Sequence, residues 1–205
     1  MSPLLYEDPV LLRKDLHEHA ALLASESYRF AASAVAVPLN VSEFALAARC
    51  YPIVFADSEE MLPLAVTGLS GLSNLFVDAA GRWSDGAYVP AYVRRYPFLP
   101  VTTPGSDALM LAIDRPRLVE RSGDMPEDEP GRLFGGGKAS PLAERALAFC
   151  ERYHRDHLRT AAFAPATGPR PHSRNPHRPP APPAGRTRNG CRTLYCLGSP
   201  SRFAQ

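Results

Sequence analysis

The chain has 205 residues and a mass of 22.3 kDa, with 45% hydrophobic and 21% charged residues, the balance of a globular protein with one core of ordinary size. No stretch approaches about eighteen consecutive apolar residues, so no transmembrane helix is expected. The first thirty residues are interrupted by Glu7, Asp8, Arg13, Lys14, Asp15 and Glu18, so no secretory leader is expected and the cytoplasm is the expected location.

Residues 10–24 carry apolar side chains at 11, 12, 16 and 23, a weak helical pattern broken by charge. Residues 34–39 read as a short strand. Asn40 then starts a helix, with Glu43 placed to complete a capping box and Leu39 to staple onto Phe44. That helix runs to about Arg49 and ends before Pro52. Short apolar runs follow at 53–56, 64–69, 74–78, 83–89, 98–101 and 109–113. Asp78-Ala79-Ala80-Gly81 forms a reversal between Val77 and Trp83, with Gly81 free to take positive φ. Runs this close together predict an antiparallel meander, with Phe55, Phe76, Trp83, Tyr96 and Phe98 filling its core. Residues 115–140 read as a polar loop. Ser140 caps a last helix whose apolar stripe is Leu142, Ala146, Phe149 and Tyr153, with Pro141 in the first turn. The fold class is α+β: a mainly antiparallel sheet with flanking helices.

The net charge of +2 conceals a break. Residues 1–160 hold 16 basic and 21 acidic side chains, a net −5, whereas residues 161–205 hold seven Arg and no acid, +7, with nine of the 22 prolines. A segment this poor in large apolar residues is expected to be a disordered tail, so a folded domain is assigned to 1–160. The Arg, Pro, Ala, Gly, Ser, Thr and His of the tail are also what a GC-rich gene yields when read out of frame. Its arginines suit phosphate, but only Phe163, Tyr195 and Phe203 are there to stack on bases, so nucleic acid is not the expected partner. His172, His177, Cys191 and Cys196 are zinc-type ligands at spacings that match no familiar finger.

In the folded part, Gly135-Gly136-Gly137-Lys138 lacks the first glycine of a phosphate loop (Arg132 stands there) and the hydroxyl after the lysine (Ala139), so it reads as a flexible connection. Glu151, His154 and His157 share a helix with Arg152, Arg155 and Arg159, whose charge opposes a metal. Cys50 and Cys150 are a hundred residues apart and read as single thiols, although a disulfide stays open. No pattern calls for a cofactor or names a catalytic residue. The densest unusual cluster is Arg94-Arg95-Tyr96-Pro97-Phe98. Paired arginines beside aromatic rings suit a carboxylate or phosphate; the structural alternative pairs one Arg with Asp57, Asp78 or Asp114. Arg94, Arg95 and Tyr96 are the expected ligand or partner contacts.

Val37-Pro38-Leu39, Tyr51-Pro52-Ile53-Val54-Phe55-Ala56, Asn74-Leu75-Phe76-Val77-Asp78, Gly81-Arg82-Trp83 and the run from Tyr88-Val89-Pro90 to Tyr96-Pro97-Phe98 occur in this order in the SapC family of bacterial proteins. The chain resembles that family over residues 28–160. The resemblance implies a protein associated with the bacterial surface layer, distinct from the peptide-uptake permease that shares the name, and supplies no catalytic residue. It implies an accessory protein of the cell envelope that acts in surface-layer assembly or export through a protein partner. The alternatives are a small-ligand binder or enzyme using Arg94 or Arg95 in a sheet pocket, and a nucleic-acid binder through the tail.

Overall fold

A computed structural model describes residues 4–58, 60–69, 73–102, 108–121, 126 and 129–167; the expectations for the tail from residue 168 onward, including its zinc-type ligands, lie outside the described residues. The elements in chain order are β1 (Pro9–Leu11), α1 (Lys14–His17), β2 (Ala20–Leu22), β3 (Ala36–Pro38), α2 (Phe44–Ala47), β4 (Ile53–Phe55), β5 (Pro63–Val66), α3 (Ala91–Arg94), β6 (Phe98–Thr102), β7 (Leu109–Asp114), β8 (Leu118–Glu120), β9 (Phe134–Gly135), β10 (Lys138–Ala139) and α4 (Pro141–Thr167). All pairings between these strands are antiparallel, as the α+β assignment requires. They form sheets ordered β1-β7-β6 and β3-β5-β4 and the pairs β2-β8 and β9-β10, so the expected meander is broken: β1, β2 and β3 each pair with a strand that is not their neighbour in sequence.

The centre of each larger sheet is its most continuously apolar strand, because a central strand has no face or edge left for water. β7 reads LMLAID and is buried from Leu111 to Asp114. β5 is buried from Pro63 to Ala65. On the edge of that second sheet, β4 leaves Val54 and Phe55 exposed, 37% in the case of Phe55. Phe55 is therefore not a core residue, contrary to expectation. Trp83 and Phe98 are buried, and Phe76 and Tyr96 are partly so.

Residues 10–24 do not form one helix. Their two apolar ends become β1 and β2, paired with β7 and β8, while the charged middle turns through α1. Strand partners distant in sequence override a weak local preference. Residues 115–140 likewise are more than a loop: β8 and the β9-β10 hairpin lie there. Gly136 and Gly137 form the two-residue turn of that hairpin with φ of 56° and 71°, the left-handed pair such a tight turn demands. The run at 83–89 contributes only a bridge, Val77 to Trp83, closed by Gly81 at φ 83°. The expected helix after Asn40 is a 3-10 turn, Val41–Glu43, followed by α2. Of the capping box the Glu43 half forms, its carboxylate accepting the Asn40 N–H at 2.9 Å, while the Glu43 N–H goes to the Asn40 carbonyl and Asn40 Oδ1 is buried without a partner among the described residues.

α4 joins the two halves of the core. Ser140 Oγ accepts the Ala143 N–H at 3.2 Å, and Leu142 and Ala146 pack on a cluster built from Phe98, Leu111, Ile113, Leu133 and Cys150. Two turns later, Phe149 and Tyr153 pack on the other cluster, around Val37, Tyr51, Ala65, Trp83 and Val93. Near its far end Thr160, fully buried, accepts the Val41 N–H at 2.9 Å.

Phe98→Ala is expected to cost about 3–5 kcal/mol, the usual cost of emptying a buried aromatic site, whereas Phe55→Ala is expected to cost under about 1 kcal/mol. Denaturant unfolding of the two variants measures both; equal losses would place Phe55 in the core after all.

Candidate functional site

The segment carrying the arginine doublet is fixed by a buried acid. Glu43 is 5% exposed. Its carboxylate accepts the Asn40 N–H at 2.9 Å, the Tyr88 hydroxyl at 2.8 Å and the Ala91 N–H at 2.7 Å. The last of these bonds satisfies a free donor at the start of α3, where Pro90 has none to offer. With α3 so anchored, Arg94 and Arg95 leave it about 100° apart and meet different surroundings.

Arg95 turns into the protein and is 3% exposed. Its Cζ lies 4.1 Å from the ring centre of Tyr92, 4.6 Å from Tyr153 and 5.7 Å from Tyr6. Nε and Nη1 are buried with no hydrogen-bond partner, and among the described residues no carboxylate lies within ion-pair distance. The structural alternative that pairs an arginine with Asp57, Asp78 or Asp114 does not hold for it: none of the three forms an ion pair with Arg95. Asp78 pairs with Arg82 at 2.8 Å. Asp114, completely buried, accepts the Glu7 and Asp8 N–H groups at 2.9 and 2.8 Å and the Tyr96 hydroxyl at 3.0 Å. Burial pushes the hydroxyls of Tyr6 and Tyr153 well above their ordinary range and raises that of Tyr92, against the pull of Arg95. The cage is therefore neutral, and it holds the cation through ring quadrupoles.

Arg94 stays exposed. Its Nε donates to the Val89 carbonyl and its Nη2 to the Tyr88 hydroxyl, both at 3.0 Å, and its Cζ lies 5.5 Å from the Phe149 ring centre. Burial and then the neighbouring Glu43 carboxylate push Tyr88 up to about 12, so at neutral pH its hydroxyl keeps the proton it donates to Glu43.

Arg94, Arg95 and Tyr96 all border one cleft of about 410 Å³, within the size range of small-molecule sites. None of the three tyrosines around the Arg95 guanidinium borders it, so Arg95 contributes to the wall while its charge sits behind. Arg117 and Arg145 border it as well, opposed by Glu26 alone among the lining acids. Arg117 donates to the Leu23 carbonyl. Arg145 has no ion pair among the described residues. The Tyr96 ring stacks on Phe30 with centres 3.8 Å apart and planes at 15°. Arg117 and Arg145 were not legible as site residues, because each is an ordinary surface arginine in sequence. Only the pairing of β2 with β8 and the packing of α4 bring them beside Arg94.

Other candidates resolve differently. Cys50 and Cys150 are free thiols, and burial pushes Cys150 up to about 11. His157 lies parallel to the Tyr153 ring at 6.3 Å, and among the described residues no group of three His, Cys, Asp or Glu is placed to hold a metal. Burial, helped by His154 and Arg95, lowers His157 to about 4.

The family model SapC matches residues 12–167, a span that includes every residue bordering the cleft and leaves Tyr6 outside. No curated protein and no solved structure matches the chain.

A caged guanidinium lacking an acid is replaceable by a neutral chain of similar volume. Arg95→Met is expected to keep stability within about 1.5 kcal/mol of the parent, and Arg95→Lys to be less stable than Arg95→Met, because an ammonium is more strongly hydrated and cannot stack. Chemical denaturation ranks the two, and the opposite order would mean that the cage needs a charge of either shape. His157 binds its proton more weakly folded than unfolded. Its contribution is therefore complete above its unfolded value of about 6.5 and declines as the pH falls toward about 4. The stability difference between the parent and His157→Gln should narrow across that window; a difference constant from pH 7 to 4 would show that this imidazole titrates normally.

Proposed function

The chain belongs to the SapC family, and we propose from its cleft that it is a binding protein, not an enzyme, which holds an anionic group of a ligand or partner in the setting of the bacterial cell envelope. The observation that carries this reading is the convergence of Arg94, Arg117 and Arg145 on one cleft of about 410 Å³ with, among the described residues, a single opposing carboxylate, Glu26. The guanidinium groups of Arg94 and Arg117 are positioned by neutral acceptors, the carbonyls of Val89 and Leu23 and the hydroxyl of Tyr88, so their charge stays available to a ligand. Of the three contacts expected from the sequence, Arg94, Arg95 and Tyr96, this reading gives Arg94 and Tyr96 to the ligand, while Arg95, behind the wall, holds the segment in place.

The chemistry of the lining supports binding over catalysis. Among the described residues neither His nor Cys borders the cleft. The hydroxyls of Ser25 and Ser27 accept backbone N–H groups at 3.1 and 3.3 Å, and among the described residues no hydrogen bond joins either of them to Glu26, the carboxylate on the lining, as an activated nucleophile would require. In this reading the family's link with the surface layer operates through an envelope protein that the chain accompanies during assembly or export.

Thermal unfolding across a panel of small anions tests the proposal. A ligand present at a hundred times its Kd adds about 2.7 kcal/mol to the folded state, a rise of several degrees in Tm. The rise should shrink as salt increases, because exposed guanidinium groups are screened, and should be lost in Arg117→Gln/Arg145→Gln. A flat panel at low salt would overturn the reading.

A further inference from the structure

The cleft is cationic on only part of its lining. Leu22, Phe30, Val93, Phe98, Ala146 and Phe149 border it too, and several of these rings are already ordered: Phe30 is stacked on Tyr96, and Phe149 lies beneath the Arg94 guanidinium. A bare inorganic ion would satisfy the arginines and leave this apolar lining in water. A neutral apolar molecule would cover the lining and leave three guanidinium groups uncompensated. The arrangement rewards a molecule with both features.

Resting on the binding reading above, we infer that the ligand is an amphipathic oxyanion, a carboxylate or phosphate carried on a flat apolar body. The oxyanion meets Arg145, Arg94 and Arg117 at the mouth, where Arg94 and Arg145 are exposed, and the body lies against Phe30, Phe98 and Phe149. Planar guanidinium groups suit both oxyanions, since each can accept two parallel N–H bonds. Preordered rings limit the entropy lost when the body docks.

Calorimetric titration of the full chain with N-acetyl-phenylalanine and with phenyl phosphate tests this. The comparison ligands are acetate, inorganic phosphate and the neutral N-acetyl-phenylalaninamide. At least one amphipathic anion should bind about tenfold or more tighter than its bare counterpart and than the amide, and Arg145→Gln should weaken it about tenfold, the loss of one charge-assisted hydrogen bond. Arg145 is exposed and has no ion pair to lose among the described residues, so the variant should fold. Arg152→Gln, exposed on the same helix but outside the cleft, should bind as the parent does. Whichever of the two anions binds tighter identifies the oxyanion. Inorganic phosphate binding as tightly as phenyl phosphate, with N-acetyl-phenylalanine no tighter than acetate, would overturn the inference and leave the anion-binding reading standing. Binding of the amide as tight as that of the acid would overturn the inference and remove the role given to the arginines. Absence of binding by every anion would overturn both.

Discussion

A guanidinium with no carboxylate in ion-pair reach among the described residues occupies the point where three parts of this chain meet. Arg95 comes from the end of α3, Tyr92 from within it, Tyr6 from the N-terminal segment and Tyr153 from α4. Burying an ion costs several kcal/mol after relaxation, and here the compensation comes from ring faces. Tyrosine suits the position better than phenylalanine because its edge carries a donor. The Tyr6 hydroxyl donates to the Phe98 carbonyl at 2.6 Å and the Tyr92 hydroxyl to the Leu4 carbonyl at 2.9 Å. The faces hold the cation while the hydroxyls tie the N-terminal segment to β6 and α3.

The buried acids follow the same rule. Glu43 and Asp114 are satisfied by backbone N–H groups and tyrosine hydroxyls, each a charge-assisted hydrogen bond stronger than its neutral equivalent. Internal charges are thus matched with neutral groups instead of with each other. One consequence reaches the surface: Asp114, the nearest of these acids in sequence to Arg115 and Arg117, is fully engaged by Tyr96 and the N-terminal segment. The arginines at the cleft therefore keep an excess of positive charge, which a low-dielectric wall of aromatic rings reinforces.

The cleft lies at the seam between two apolar clusters. Val93 belongs to one and Phe98 to the other, and Phe149, on the helix that spans both, borders it between Ala146 and the aromatic cage. A seam of this kind is a natural place for a ligand, since neither cluster has to be opened to make room. It also means that a bound ligand would touch both halves, so occupancy and stability are linked.

Much of this was written locally. The bond from Asn40 N–H to the Glu43 carboxylate, the Gly81 reversal into Trp83, Ser140 at the head of α4 and the buried run of β7 depend on neighbours a few residues apart, and the antiparallel α+β class followed from short runs and short turns. The family resemblance, too, lay in ordered local motifs, and the Arg94-Arg95-Tyr96 cluster was visible as unusual. Three matters rested with tertiary structure. Residues 10–24 became strands because β7 and β8 supplied backbone partners about a hundred residues away. Phe55 was left at an edge because β5, and not β4, took the centre of its sheet. Arg94 and Arg95 were divided between surface and interior by the anchoring of α3 on Glu43, while Arg117 and Arg145, featureless in sequence, were brought beside Arg94. Hydrogen bonds between near neighbours leave a signature in residue order; the meeting of charges from distant segments leaves none, because it depends on how the backbone between them is packed.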